Sequence, residues 1–316
     1  MGSVLFATLL LVLPPTTQHR WALVEVRGTG VKYWQALAEK SVFEPGAEQQ
    51  RQAELLRRTL DVDRREANGA GCAAGMVRVA GKMQNAAETI ARQNGACLDA
   101  GWNPKFLCTK FDAAKLAGPT QRQKALDYCI DRYEFPNIPG EYPGVLLSFT
   151  DGERICEAEG KHLCNEDEWT FACEGPAALP YPYGYARYLD PRSHFPDRII
   201  AGEGCNIDVI RHRVNFDPRR MLRNRASPDA AVEIDKLWAG TKSGERAACV
   251  SPFRVYDITG NVEEWTSRSE ANHRSVLKGG YWSPVESRCQ PANTAHGPSH
   301  AYYQTGFRCC ARAGNM

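Results

Sequence analysis

The chain lacks several features that mark particular classes of protein. After an apolar run near its start, no stretch reaches the about twenty apolar residues that a membrane-spanning helix needs. No Cys-x-x-Cys pair occurs, and the 7 histidines do not stand near cysteines at zinc-finger spacing. Basic residues number 39 against 37 acidic ones, a net charge of +2, and they are scattered. The sequence therefore favours neither a transmembrane segment after its leader, nor a zinc finger, nor a nucleic-acid-binding protein.

Cysteine, by contrast, is abundant, with 12 residues in a chain of 316. An even number at this density favours disulfides formed in an oxidising compartment, although reduced, buried cysteines in a cytosolic protein stay an alternative. Residues 4–13 form an apolar run of the length typical of a signal-peptide core, without a preceding basic residue or a clear cleavage site. We predict that residues 1–17 are a signal peptide and that the protein is exported to the periplasm, the medium or the cell surface.

A segment of different composition follows the leader. Residues 33–39 and 48–65 are rich in Ala, Leu, Glu, Gln and Arg, and Leu55, Leu56 and Leu60 recur roughly at helical spacing. This pattern predicts one or two amphipathic helices. Residues 18–69 are therefore predicted to be a helical extension, with the glycines at its end as the hinge into the next domain.

The remainder of the chain carries a series of short, ordered motifs. They are GCAAGMVRV (71–79), YCIDRYEFP (128–136), GKHLCNEDEW (160–169), YPYG (181–184) with CN (205–206), VYDITGNVEEW (255–265), VLKGGYW (276–282) and GFRCC (306–310). In this order they resemble the sulfatase-modifying-factor domain, the family of the formylglycine-generating enzyme. The resemblance covers residues 70–313. It implies an α+β fold, specifically an atypical, loop-rich C-type-lectin-like domain.

Local patterns add detail to this expectation. Helices are predicted at 151–160 and 166–173, the second with Asn165 as its N-cap and acidic residues in its first turn. Residues 83–126 form an insertion relative to the family. Within it we expect a helix over 83–93, then a loop closed by a disulfide between Cys97 and Cys108, and then another helix.

The Gly-Asn turn of 255–265 is the candidate metal site. Carboxylates flanking such a turn can converge with its carbonyl oxygens, and calcium accepts irregular all-oxygen cages. Spacing alone favours an ordinary acidic surface turn, because such turns are common. The resemblance implies a calcium site whose ligands are the side chains of Asp257 and Glu264 and the carbonyls of Gly260 and Val262.

The resemblance also implies a second calcium site elsewhere in the chain. Asn206 and the carbonyl of Ile207 would supply its ligands, together with a downstream acidic residue for which Asp235 is the candidate.

The copper site of the family is incomplete in this sequence. The formylglycine-generating enzyme oxidises a substrate cysteine through copper(I) held by two cysteines, and soft thiolates suit that ion. The second cysteine matches Cys289, the candidate catalytic residue, but the first falls on Pro284, which offers no ligand. Copper and standard formylglycine generation are therefore not expected.

The resemblance implies one disulfide, between Cys156 and either Cys309 or Cys310, with Cys309 preferred. The family's other bridge is predicted to be lost, because the partner position of Cys173 is Thr294. The pairing of the other cysteines of the domain stays open.

Two functional hypotheses follow. The first is an exported, calcium-stabilised binding or structural module that holds a protein or glycan partner. The second is a divergent oxidoreductase that modifies a cysteine or another small substrate through a site rebuilt around Cys289. In either case Trp282, Glu286 and Arg288 are the candidate binding surface. A metal site at His296 and His300 is disfavoured, because Pro298 prevents a shared helical face.

Overall fold

The computed structural model describes residues 7–9, 21–25, 32–36, 71–99, 108–187, 240–269, 274–281 and 288–314. The strands within these ranges are β1 (Ala7–Leu9), β2 (Trp21–Glu25), β3 (Lys32–Ala36), β4 (Met76–Gln84), β5 (Gln123–Asp131), β6 (Gly144–Val145), β7 (His162–Leu163), β8 (Glu263–Ser267), β9 (Ser275–Lys278), β10 (Ala292–Asn293), β11 (Thr305–Phe307) and β12 (Cys309–Arg312). The helices are α1 (Ala86–Ala96), α2 (Ala113–Leu116), α3 (Phe149–Ala158) and α4 (Glu166–Glu174). Short helices among small sheets agree with the predicted α+β class.

The strands form three sheets. The longest pairing is the antiparallel contact of β4 with β5, and β12 returns from the C-terminus to join β5 to β7 in the order β4-β5-β12-β7. A second sheet has the order β10-β9-β8-β11, with β11 parallel to β8. The third sheet joins β1, β2 and β3 to β6 of the domain.

The structure corrects the prediction for part of the N-terminal segment. Lys32–Ala36 is a strand, where the sequence predicts the start of a helix. It pairs with β2 on one side and in parallel with β6 on the other, so sheet hydrogen bonds outweigh the local helical composition. Aromatic residues such as Tyr33 and Trp34 also favour strands. The rest of 18–69, apart from β2, lies outside the described residues, and the signal peptide stays a prediction.

The insertion contains the expected elements with shifted boundaries. Strand β4 continues to Gln84, and Asn85 then caps α1 by accepting a hydrogen bond from the Glu88 amide, so the helix begins three residues later than predicted. Cys97 and Cys108 form a disulfide directly after α1. The short helix α2 follows.

Helices α3 and α4 occur close to their predicted positions, and both begin with a capping box. In α4 the Asn165 side chain accepts from the Glu168 amide, while the Glu168 carboxylate accepts from the Asn165 amide. Such reciprocal caps satisfy amide groups that the helix leaves free. Residues 168–174 of α4 are buried, and Trp169 and Cys173 are part of the core.

Disulfides reinforce this loop-rich core. Cys156 and Cys309 are joined, as the resemblance implies, across 153 residues of sequence. In the chain-entropy model, closing a loop of that length stabilises the fold by about 5 kcal/mol. The other bridges between described cysteines are Cys72–Cys129, Cys97–Cys108, Cys164–Cys310 and Cys173–Cys289. Within the described ranges no helix has the length and hydropathy to cross a bilayer.

Candidate functional site

The predicted catalytic cysteine is not a thiol. Cys289 is bonded to Cys173 of α4 with an S–S distance of 2.02 Å, and neither residue is exposed. The prediction that Cys289 carries catalysis as a free cysteine is therefore wrong. Thr294 stands where the family partner of Cys173 would be, and Cys173, whose pairing the sequence left open, is bonded to Cys289 instead. None of the described cysteines is free.

The predicted binding surface is only partly described. Trp282 and Glu286 lie outside the described residues, as does Pro284. Arg288 is 3% exposed, and its guanidinium lies 5.2 Å from the ring centroid of Phe111 in the insertion. Burial lowers the pKa of Arg288. Its assignment to an exposed binding surface is therefore wrong, because the insertion, whose position the sequence did not reveal, covers it.

The acidic turn between Tyr256 and Glu264 is buried around one guanidinium. Both oxygens of Glu264 accept hydrogen bonds from Arg308, at 2.7 Å from Nε and 2.6 Å from Nη2, and Oε2 also accepts from the Trp169 indole at 2.8 Å. Glu264 and Arg308 are completely buried. The charge of Glu264 is thus already paired within the protein, which the sequence did not indicate.

Two more buried carboxylates adjoin this ion pair. Glu134 accepts hydrogen bonds from the side-chain amide of Asn261 at 2.6 Å and from the Val262 amide at 2.9 Å, so it fixes the turn. Asp257 accepts from the Gly244 amide at 2.6 Å. Burial raises the pKa of Asp257 to about 7. Burial, with Asp257 and then Glu264 as negative neighbours, raises the pKa of Glu134 well above its usual value.

Two buried hydroxyl groups in the segment before Gly244 have no hydrogen-bond partner among the described residues. They are Oγ of Ser243, which is 1% exposed, and Oγ1 of Thr241, and they precede the Gly244 amide that contacts Asp257. Buried polar atoms are normally paired, so these unpaired oxygens are candidates for binding a water molecule or a cation. The Asp257 half of the predicted calcium site fits an oxygen-ligated ion, whereas Glu264 would have to share its carboxylate with Arg308. Asn206, Ile207 and Asp235 lie outside the described residues.

The histidines near the C-terminus are stacked. The rings of His296 and His300 lie 3.9 Å apart at 11°, and the pair abuts Trp265 and Tyr302. A metal binds in the plane of an imidazole ring, so two nearly parallel stacked rings cannot both ligate one ion in this arrangement. Burial, and then the neighbouring His296, lowers the pKa of His300 to about 4.

A second buried polar cluster lies beside the Cys173–Cys289 bridge. Glu174 is completely buried and accepts a hydrogen bond from the Gln290 side-chain amide at 2.6 Å. Lys278 is 2% exposed and donates to the Gln290 backbone oxygen at 2.8 Å. Burial raises the pKa of Glu174 to about 8 and lowers that of Lys278 to about 8. Sequence reasoning missed this cluster, because its members lie on α4, on β9 and in the segment before β10, which only the tertiary fold brings together.

A cavity of about 760 Å³ lies in front of this cluster. Its apolar wall includes Ala86 and Ile90 of the inserted helix α1, and the opposite wall includes Glu166 and Arg268, which form an ion pair. Gln290 also lines the cavity. The insertion therefore forms one wall of a recess that reaches Gln290, the residue after Cys289.

Comparison with known proteins identifies relatives of this chain. The family model described as sulfatase-modifying factor enzyme 1-like domain matches residues 125–313. The inactive C-alpha-formylglycine-generating enzyme 2 of Bos taurus is 24% identical over 186 residues, covering 55% of this chain and 52% of the relative. The protein of the same name from Mus musculus is 23% identical, covering 55% and 50%. The chain thus spans about half the length of the curated relatives it matches.

Solved structures give weaker matches. The Major Tropism Determinant I1 variant overlaps 58% of this chain and 50% of its own length at 13% identity, with a TM-score of 0.32. The U1 variant overlaps 66% and 62% at 12% identity, with the same TM-score. Overlap at this score is too slight to define the fold.

Proposed function

Because this chain belongs to the sulfatase-modifying factor enzyme 1-like family, we propose that it is a non-catalytic member that acts as an exported binding or structural module. The observation that carries the proposal is the Cys173–Cys289 disulfide. Of the two positions that bind copper in the family, only that of Cys289 holds a cysteine in this chain, and this disulfide occupies its sulfur. The curated relatives that the chain matches bear the name of an inactive enzyme, which supports the same conclusion.

Copper(I) does not fit the residues present. Two thiolates must hold the ion before a substrate thiol can join, and soft sulfur is the ligand it prefers. Pro284 supplies no donor, and the sulfur of Cys289 is oxidised and buried. The alternative, an oxidoreductase rebuilt around Cys289, requires the same sulfur as a thiol and loses its support for the same reason.

Calcium is proposed as a stabilising ion of the module. Three buried carboxylates, those of Glu134, Asp257 and Glu264, lie near the guanidinium of Arg308, and burial raises the pKa of Glu134 and of Asp257. The hydroxyl groups of Thr241 and Ser243, which have no partner among the described residues, precede the Gly244 amide that binds Asp257 and add oxygen donors in that segment. Calcium takes roughly six to eight oxygen ligands in flexible geometry, and a bound divalent ion would favour the charged form of these carboxylates. Asp257 and the carbonyls of Gly260 and Val262 would hold it, with Glu264 shared with Arg308.

The recess between α1 and the charged wall is the proposed contact surface for a protein or glycan partner. It combines apolar side chains of the insertion, such as Ile90, with ionic groups such as Arg268. Ligand sites commonly pair an apolar wall with a few placed polar groups. Export is supported by the bridges between described cysteines, which persist in oxidising compartments.

The test of the non-catalytic proposal is a direct activity assay. The full chain, supplied with copper and oxygen, is incubated with a sulfatase-type cysteine peptide, and the peptide mass is followed, with an active family member as positive control. We expect no conversion of cysteine to formylglycine. Conversion that disappears in Cys289→Ser would overturn the proposal, as would tight one-to-one copper(I) binding that the same variant abolishes.

A further inference from the structure

The inserted helix α1 presents an exposed aliphatic side chain to the recess. Among the described residues only two large apolar side chains are exposed, and both belong to the insertion: Ile90 of α1 at 41% and Leu98 at 56%. Ile90 lines the cavity of about 760 Å³, together with the apolar side chains of Met83 and Leu163. An exposed branched side chain in the wall of a cavity is a contact that a ligand can complete.

The charged side chains around the recess are mostly paired with one another. Three ion pairs line it, and they are Lys124–Asp167, Arg268–Glu166 and Arg274–Glu153. Glu157 of α3 also lines the recess, and no described residue forms an ion pair with its carboxylate. The acids of the described lining therefore exceed its Lys and Arg residues by one, and a basic group on a ligand would complement Glu157.

Two side-chain amides of the recess are each held by the protein at one end only. Oδ1 of Asn165 accepts from the Glu168 amide at 2.9 Å, and Nε2 of Gln290 donates to Glu174 at 2.6 Å. The other ends, Nδ2 of Asn165 and Oε1 of Gln290, have no hydrogen-bond partner among the described residues, and neither atom is buried. Because both residues line the recess, a fixed donor and a fixed acceptor are open to a ligand there.

A peptide main chain matches this combination of groups. Each of its units has a carbonyl that accepts and an N–H that donates, and an extended segment can use both in binding. The carbonyl is complementary to Nδ2 of Asn165, and the N–H is complementary to Oε1 of Gln290. A peptide also supplies an aliphatic side chain for Ile90 and a basic one for Glu157, whereas a neutral glycan carries neither group.

We propose that the recess binds an extended peptide segment of a protein partner, an assignment that rests on the proposed function of the recess as a contact surface. Asn165 and Gln290 bind the main chain of the segment. An aliphatic side chain of the segment packs against Ile90, and a lysine or arginine side chain pairs with Glu157. The segment needs no cysteine, and no covalent bond is made or broken. The family motifs do not provide this site, because Ile90 belongs to the insertion.

Binding of the full chain to a peptide library tests this assignment. The probe is an immobilised library of random heptapeptides that are capped at both ends and free of cysteine. We expect the bound peptides to share an aliphatic residue close to a lysine or arginine. The main-chain nitrogens of the tightest binder are then methylated one at a time. At one position the affinity should fall about tenfold, because the Gln290 oxygen loses its donor.

Variants of the recess test the role of each group. Asn165→Asp keeps the oxygen that caps α4 and replaces only the free donor with an acceptor, so it should weaken binding of the tightest peptide about tenfold or more. Ile90→Ser should also weaken binding, and Glu157→Gln should remove the preference for a basic residue. The control Lys82→Gln, at an exposed position of β4 outside the recess, should change neither property.

If Asn165→Asp fails to fold, Ile90→Ser decides, because its side chain is already partly exposed. A wild-type chain that selects no peptide would overturn the proposal, as would selected peptides that bind both variants as tightly as wild type. Binding of neutral glycans on an array, abolished by Ile90→Ser, would assign the recess to the other occupant and overturn it too. The formylglycine assay tests the non-catalytic function separately, so a chain that converts no cysteine and selects no peptide refutes the peptide assignment alone.

Discussion

Breaking the buried ion pair between Arg308 and Glu264 should cost much of the stability of the domain. Arg308→Met leaves the Glu264 carboxylate buried without its cation and removes the donors that reach the backbone oxygens of Asp131 and Tyr256 at 3.2 and 3.1 Å. Removing one partner of a buried pair costs about 3–5 kcal/mol. We expect the free energy of unfolding to fall by this amount.

The double variant Glu264→Gln/Arg308→Met tests the origin of that loss. Glutamine still offers an oxygen to the Trp169 indole but leaves no unpaired charge. The double variant should therefore lose less free energy of unfolding than the sum of the losses in the two single variants, by roughly 1–3 kcal/mol.

Urea unfolding measures all four proteins at one pH, with disulfides oxidised and a calcium chelator present so that ion binding does not contribute. A change of less than about 1 kcal/mol in Arg308→Met would refute the reasoning, because it is far below the cost of an unpaired buried charge. Strict additivity in the double variant would also refute it.

Two further predictions concern calcium and pH. Excess chelator should lower the melting temperature and added calcium should restore it, because an ion that binds only the folded state stabilises that state. Asp257→Asn should lose this response. The control Asp127→Asn, which alters an exposed acid paired with Arg78, should keep it. A melting curve that ignores the chelator would contradict the calcium proposal. Burial lowers the pKa of His300 to about 4, so between about pH 4 and 6.5 the folded state binds fewer protons than the unfolded state. The stability that neutral His300 contributes is therefore lost as the pH falls from about 6.5 to about 4. The difference in free energy of unfolding between His300→Phe and wild type should therefore shift in favour of the variant in that pH window, compared with pH 8. An equal difference at both pH values would show that burial does not lower the proton affinity of His300.

Elements governed by local chemistry could be predicted from the sequence. Asn165 followed three residues later by Glu168 is a capping signature, and α4 begins there. The bridge from Cys156 to Cys309 followed from the motifs on either side of it, since the family resemblance placed both cysteines.

Features that depend on distant partners could not be predicted. Cysteine connectivity cannot be deduced from sequence alone, so the bridge from Cys173 to Cys289 was unassigned. Strand β3 could not be predicted either, because its parallel partner β6 is distant in the sequence. Pairing with that strand outweighs the helical composition of the segment around β3. The ion pair of Glu264 with Arg308 likewise joins β8 to the residue between β11 and β12, and neither motif alone indicates it.

Disulfide mapping of Cys289 tests the central claim most directly. Free thiols are blocked at acidic pH, and the protein is digested without reduction by trypsin and a glutamate-specific protease. The glutamate-specific protease cleaves after Glu166 and Glu168, which lie between Cys164 and Cys173, so Cys173 and Cys164 fall on separate peptides. We predict a peptide containing Cys289 linked to one containing Cys173. Recovery of Cys289 with the blocking group attached would contradict the account, because a free thiol at that position would restore half of a copper site.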